Sequence, residues 1–490
     1  MEPVPAHIRQ ILTNLNAAGY AAYVVGGAVR DLLRGVVPHD YDVATDARPD
    51  DVFRVAQQSG WQVKGGLGRN YGVVLLVVDG RQTEVATFRG ERYGYDSHRP
   101  SEVWYASSLP EDLGRRDFTM NAMALAADGT VIDSYGGRAD VAAGIIRAVG
   151  DPGVRFAEDG LRMFRACRFA AQLGFSVEGA TLAAMADQLG RAAGLSLERV
   201  RQELDKLLLA PYAPEGLHCL VQSGLAGASC CVRKEGVCHS VPILPELSHL
   251  VGMPQNPAFH AYDCWRHTLE TVRHSPPDVV LRWAALLHDV AKGWPGIRGR
   301  GPNGQITDYG HDGCGAALAD AILTRLAVPA AVRRIVVWLV EQHMRYHFHV
   351  HDAPQSVDRW VRAEARSGRF RTTGAMQEAF GQLVELGRAD TLASGLSGST
   401  LPMVEAFGVS LIRVVAAMPV HTADVAYDRG ELLEIVDGAD QLGPFLQNAL
   451  RRIQDGTLSN DRDSVMAAAK RWRQRQAANL PRTAEKPNET

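Results

Sequence analysis

Strand-forming sequence is confined to the first third of this 490-residue chain. Apolar, β-rich runs at 20–25, 72–78 and 83–88 are separated by Gly and Asp turns and preceded by a helical pattern over 7–17. That texture predicts an α/β domain ending near residue 150. From about Phe156 the apolar spacing changes to i, i+3, i+4, so 156–173, 181–192 and 195–209 are expected to be helices, and the remainder mostly helical. A Pro-bearing stretch over 230–255 reads as a linker, and the texture changes again over 394–402.

With 46% apolar and 22% charged residues, the composition excludes disorder and collagen-like structure. No window approaches the roughly 18 apolar residues of a membrane span, and the opening MEPVPAHIRQ lacks the order of a signal peptide, so the expected location is the cytoplasm, with no membrane partner. The seven scattered Cys predict reduced thiols rather than a disulfide framework, and Cys230, Cys231, Cys238 and His239 lack the spacing of a structural zinc site. A net charge of −3 does not decide for or against a polyanion partner. Only the last 40 residues segregate charge, with 9 Lys and Arg against 5 Asp and Glu, and the segment 470–475 could follow phosphates or simply end a solvated helix.

Four motifs carry chemistry. Val24-Val25-Gly26-Gly27-Ala28-Val29-Arg30-Asp31 is a strand entering a double glycine and then a helix, a geometry in which backbone N–H groups and Arg30 could meet phosphate oxygens. In Asp40-Tyr41-Asp42 an extended backbone puts both carboxylates on one face, which invites Mg²⁺, and Glu84 could add an oxygen from a neighbouring strand. Plain turn residues and a solvated strand residue would explain either motif alone. Arg115-Arg116-Asp117-Phe118-Thr119-Met120-Asn121-Ala122 offers groups that could grip phosphate and ribose, or a helix capped by Asp117. Finally, Asp159, Arg162, Arg165 and Arg168 recur at threes along one predicted helix face. A solvated stripe is one reading; the other is that Asp159 with Arg162 reads the pairing edge of a base.

In this order, Gly-Gly-x-Val-Arg-Asp, Asp-x-Asp, Arg-Arg-Asp-Phe-Thr-x-Asn-Ala and Glu-Asp-x-x-Arg, the set resembles the class II tRNA nucleotidyltransferases, the CCA-adding enzymes and their poly(A) polymerase relatives. Residues 432–472, with Gly443-Pro444 and Leu458-Ser459-Asn460-Asp461, look like that family's tRNA-holding tail. The resemblance implies an α/β nucleotidyltransferase head (1–150) followed by an all-α neck and body (151–250) and tail (399–490). It also implies addition of C, C and A to the tRNA 3′ end from CTP and ATP by two-metal transfer, with tRNA as partner and no protein partner expected. By resemblance, Asp40 and Asp42 hold Mg²⁺, Glu84 is a third catalytic carboxylate, and Gly26, Gly27 and Arg30 hold the triphosphate. Arg116, Asp117 and Asn121 make further nucleotide contacts, Asp159 and Arg162 select the base, and Arg165 and Arg168 support them. Residues 88–110, including Arg89, Glu91, Arg92, Tyr93, Asp96, Arg99 and Pro100, resemble the family's flexible loop, whose apparent full length favours addition of the terminal A. An A-only enzyme or a poly(A) polymerase shares these motifs.

His267, His288-Asp289, His311, His343 and Asp390 follow in helical surroundings, ligand types suited to one or two divalent metals. Their contexts, such as Leu287-His288-Asp289-Val290-Ala291-Lys292, resemble the HD metal-dependent phosphohydrolase domain, which is expected over residues 251–398, all-α, between body and tail. This implies hydrolysis of a phosphomonoester or a 2′,3′-cyclic phosphate with a divalent metal of unspecified identity, Lys292 helping to bind phosphate. A chain that is chiefly a phosphohydrolase acting on RNA ends is the rival from another class. His347, His349 and His351 are expected in a polar loop.

Overall fold

Strand β1 (Ala22–Val25), with Val24 and Val25 buried, is an interior strand of a mixed sheet, flanked by the central strand β2 (Asp42–Thr45) on one side. The chain then adds β3 (Gln62–Lys64), β4 (Val73–Val78) and β5 (Arg81–Thr87), a separate antiparallel ribbon of β6 (Arg89–Tyr93) and β7 (Pro100–Tyr105), and finally β8 (Ala124–Leu125) and β9 (Val131–Ile132). The sheet order is β3-β4-β5-β2-β1-β8-β9, with β2 and β5 parallel and the other neighbours antiparallel. The computed structural model describes residues 4–64, 72–93, 100–351, 354–396, 398 and 400–479; Asp96 and Arg99 lie outside the described residues. Helix Ala6–Ala17 buries Ile8, Ile11, Leu12 and Leu15 against the sheet, the i, i+3, i+4 pattern of its sequence.

Beyond residue 150 the architecture is predominantly helical, so the head-then-helices order is observed. Helices Pro152–Glu158, Leu161–Leu173, Gly179–Asp187, Leu197–Leu208 and Ala213–Gln222 come first. Cys264–His274, Val279–Leu287, His311–Arg325, Ala330–His349, Thr373–Ala393 and Leu401–Ala416 follow. One buried apolar cluster runs from Ile8 to Met418, and a second, from Val425 to Ala469, belongs to the C-terminal helices. Among the described residues no helix is long and apolar enough to cross a membrane.

Three expectations are corrected. The stretch expected to be a linker is a hairpin, Ser229–Lys234 with Val237–Pro242, followed by the 3-10 turn Pro245–Leu250. Glu235 and Gly236, both at positive φ, close it as a two-residue turn, and Ile243, Leu244, Leu247 and Leu250 are buried in the core. Cys231 and Cys238 are bridged, so the thiols are not all reduced: the hairpin brings their Cα atoms to 5.5 Å, a proximity that spacing in sequence does not reveal. His347 and His349 are not in a loop, because helix Ala330–His349 continues through them, with His347 bonded to Asp390 and His349 stacked on Trp360.

Candidate functional site

The head cleft is built where β1, β2 and β5 run side by side. Val25 pairs with Asp42, and Val43 with Val85, so Glu84 lies next to Asp42 on the neighbouring strand. The Asp42 carboxyl is held above the usual carboxylate range, first by desolvation and then by the Glu84 charge, with Arg116 opposing and Asp40 adding to the rise. Asp40 sits before the strand, its side chain 85% exposed and paired with His39 at 2.9 Å. Among the described residues the three carboxylates therefore do not close into one compact ligand cluster.

Gly26, at φ 75°, turns β1 into helix Gly27–Leu33 and needs a glycine twice over, for its dihedral and because a Cβ would come 3.0 Å from Arg116 Nη1. Arg30 faces inward: its fork donates to both Asp31 oxygens at 2.9 and 3.0 Å, and Nη1 donates to Asn121 Oδ1 at 2.8 Å. The double arginine has an organiser that sequence reasoning missed. Buried Asp112 accepts from Arg115 Nε and Nη2, from Arg116 Nη2 and from the Arg89 backbone N–H at the root of β6. Its i−3, i−4 spacing to the arginines was the available signal. Arg116 Nε is buried and, among the described residues, has no hydrogen-bond partner.

Asp117 and Asn121 do meet, Asn121 Nδ2 donating to Asp117 Oδ1 at 3.3 Å, but through the 3-10 turn Thr119–Asn121 rather than a helix capped by Asp117. The arginine stripe is not a solvated face: Arg162 and Arg168 are buried and Arg165 half-buried. Arg162 donates to Glu158 Oε2 at 2.6 Å and to the carbonyls of Arg155 and Arg115. Arg168 donates to Glu203 at 2.6 Å and lies over the Phe169 ring. Asp159 Oδ1 accepts from the Leu161 N–H at the start of helix Leu161–Leu173.

Arg165 clasps Asp117 with Nε and Nη2 at 2.8 and 2.6 Å, tying that helix to the head. Burial pushes the Asp117 carboxyl up, but the Arg165 guanidinium and hydrogen bonds from Arg165, Asn121 and the Phe118 N–H outweigh it and hold the group at about 2. A depressed carboxyl stabilises the fold above its unfolded value near 3.8 and loses that contribution as pH falls towards 2. The net depression, from the Arg165 charge and the hydrogen bonds against desolvation, corresponds to about 2 kcal/mol at neutral pH. Arg165→Met is therefore expected to lower the calorimetric midpoint at pH 7 and to narrow its deficit between pH 4 and 2; an unchanged deficit across that window would refute the linkage.

A second constellation lies among the later helices. His267 comes from Cys264–His274, His288 and Asp289 follow Val279–Leu287, His311 opens His311–Arg325, His343 sits in Ala330–His349 and Asp390 in Thr373–Ala393. All six are brought together. Nε2 of His267 lies 3.2 Å from Nε2 of His288 and 3.0 Å from Asp390 Oδ1, and Nε2 of His311 lies 3.2 Å from Nε2 of His343. Asp289 stands between the pairs, Oδ2 at 3.3 Å from His288 and Oδ1 at 3.2 Å from His311. The Nδ1 atoms of His288, His311 and His343 face the carbonyls of Ala285, Asp308 and Val340, which fixes each ring with Nε2 towards Asp289. Lys292 Nζ pairs with Asp289 Oδ2 at 2.7 Å and donates to Gln255. Buried imidazoles and carboxylates converging at such distances form a ready ligand set for a divalent cation. His347 Nε2, 2.8 Å from Asp390 Oδ2, is the partner that the sequence reading passed over.

Residues 22–147 match the Poly A polymerase head domain, and residues 174–228 the probable RNA and SrmB-binding site of polymerase A. The head therefore matches the family model of a poly(A) polymerase head. Among individual relatives, the chain is 46% identical over 215 residues to a CCA-adding enzyme of Geobacillus sp. (strain WCH70), covering 44% of this chain and 52% of that protein. It is 42% identical over 228 residues to one of Limosilactobacillus fermentum, covering 46% and 56%. The chain thus spans about half the length of the curated relatives it matches. A solved CCA-adding enzyme of Bacillus stearothermophilus in complex with CTP aligns with TM-score 0.64 at 25% identity, over 98% of this chain and 100% of that one.

Proposed function

We propose that this chain adds C, C and A to the 3′ end of tRNA from CTP and ATP, without a nucleic acid template, and that it works in the cytoplasm. The observation that carries the reading is Asp42 beside Glu84, facing the Gly26 turn and Arg116, in a head similar to those of CCA-adding enzymes. The mutual repulsion of Asp42 and Glu84 is what a hard divalent cation relieves, and carboxylate oxygens suit Mg²⁺, with Asp40 able to join by turning from His39. Bound there, Mg²⁺ would sharpen the RNA 3′-hydroxyl as a nucleophile and neutralise triphosphate charge.

The chain's own groups do the positioning. Arg116, clasped by Asp112 and with Nε unpartnered, is aimed at the triphosphate across the Gly26-Gly27 backbone. Arg30 braces that turn through Asp31 and Asn121, and Asp117 with Asn121 forms the floor for the ribose. Asp159 and Arg162 read the base edge, Arg162 exchanging its bond to Glu158 for one to the base, while Arg165 and Arg168 hold the helix in place through Asp117 and Glu203. The 3′-oxygen attacks the α-phosphorus in line and pyrophosphate leaves.

The test is single-nucleotide addition on tRNA transcripts ending at the discriminator base, at C and at CC, each with CTP, ATP, UTP or GTP and with CTP plus ATP. Stepwise growth to CCA followed by arrest is the expected result. Growth of the CC-ending transcript alone, and only with ATP, would make this an A-only enzyme, and unlimited A addition a poly(A) polymerase.

A second activity is favoured by the histidine–aspartate cluster. It is read as a metal-dependent phosphohydrolase of RNA ends, with His267, His288, Asp289, His311, His343 and Asp390 as ligands to a divalent metal. Lys292, anchored by Asp289 and Gln255, is placed to meet the substrate phosphate.

A further inference from the structure

A cavity of about 820 Å³ opens over the histidine–aspartate cluster, with Asp289, His311, His343 and Asp390 in its wall. That volume suits a small-molecule ligand. Its charge narrows the ligand. Lys292 is the single Lys or Arg among the described lining residues and is already paired with Asp289, whereas Asp289, Asp308, Asp312 and Asp390 all contribute to the lining. A polyphosphate reaching beyond the cluster would meet Asp308 and Asp312 as well, whereas one phosphate held beside Lys292 would meet only the carboxylates of the cluster itself.

Three aromatic rings line the same cavity. Phe259, Tyr309 and Phe348 line it while keeping 66%, 76% and 62% of their surface exposed. They come from three separate places: the segment before helix Cys264–His274, the segment before helix His311–Arg325, and the last turn of helix Ala330–His349. Isolated exposed aromatics are ordinary, and three around one cavity with a cluster of ionisable groups in its wall are not. Exposed ring faces are what an unpaired base stacks on.

We propose that this cavity binds one unpaired nucleotide carrying a single phosphate, its base against Phe259, Tyr309 and Phe348 and its phosphate at the cluster beside Lys292. The proposal rests on the phosphohydrolase reading of the cluster and adds to it a base-recognition subsite. The same chemistry is offered by a free mononucleotide and by the last residue of an RNA 3′ end.

The test uses the full chain and a probe that cannot be hydrolysed, 2-aminopurine riboside with a 3′-methylenephosphonate, whose fluorescence is quenched on stacking. Mn²⁺ alone is titrated first; failure of the wild type to bind it more tightly than His288→Ala would overturn the hydrolase reading and the proposal together. With Mn²⁺ bound, saturable quenching is expected. Binding should weaken about 5-fold in each of Phe259→Ala, Tyr309→Ala and Phe348→Ala, and at least about 30-fold in the triple variant. Tyr309→Trp should restore what Tyr309→Ala loses, which a merely structural role would not predict. Equal competition by the base-less ribose phosphonate, or triple-variant binding within 2-fold of wild type, would overturn the base subsite while leaving the hydrolase reading standing. The trinucleotide CCA bearing the same phosphonate separates the sources: tighter binding than the mononucleotide assigns an RNA end, equal binding a free nucleotide.

Discussion

Asp42→Ala is expected to reduce nucleotide addition by at least about 10³-fold, the cost of losing several kcal/mol of metal-borne charge stabilisation, while leaving phosphohydrolysis unchanged. The variant should not be unfolded. Because desolvation and Glu84 hold the Asp42 carboxyl above its ordinary value, its charge opposes folding, and the penalty grows as pH rises through that raised value. Asp42→Asn should therefore show a thermal midpoint at pH 7 equal to or above that of the wild type, with addition still lost. Addition surviving either substitution would refute the catalytic assignment, and activity lost together with stability would make Asp42 a structural residue.

The converse experiment removes His288 and Asp289. The double variant His288→Ala, Asp289→Ala is expected to lose divalent-metal binding by the cluster and phosphohydrolysis, and to keep nucleotide addition within about 3-fold of wild type, since neither side chain contacts the head cleft. The two changes differ in structural cost. Asp289 is the ion-pair partner of buried Lys292, so Asp289→Ala alone strands an ammonium and should cost about 3–5 kcal/mol, whereas His288→Ala leaves that pair intact. Thermal midpoints of the single variants measure this difference. Retained hydrolysis in a folded double variant would remove the cluster from the mechanism.

How much of this was legible in the sequence depends on the distance over which residues interact. Local patterns carried well: the alternation of Val73–Val78, the helical spacing of Ile8, Ile11 and Leu15, and the adjacency of Asp42 to a carboxylate on a neighbouring strand. The six histidine and aspartate positions, spread over more than a hundred residues, were legible through a resemblance carried by the short contexts of His267, His288-Asp289 and His311, and their side chains do converge. Partnerships between ordinary residues were not legible. Nothing in the spacing of Arg30 indicates Asn121, nor in that of Arg168 Glu203, nor in that of Arg165 Asp117, and the stripe that periodicity left open to water is a buried seam of ion pairs. The Cys231–Cys238 bridge was hidden for the same reason, since it depends on a hairpin register that the Pro-bearing stretch disguised.

The carboxylate of Asp112 has a mechanical consequence. It holds Arg115, Arg116 and the backbone at the root of the β6–β7 ribbon at the same time, so ribbon tilt and guanidinium aim are not independent coordinates. Swinging the ribbon drags a linkage whose far end is Arg116, and an incoming load on Arg116 pulls back on the ribbon. The two behave as the arms of one lever with a single fulcrum, and lengthening that fulcrum by a methylene in Asp112→Glu, or removing its charge in Asp112→Asn, would uncouple them.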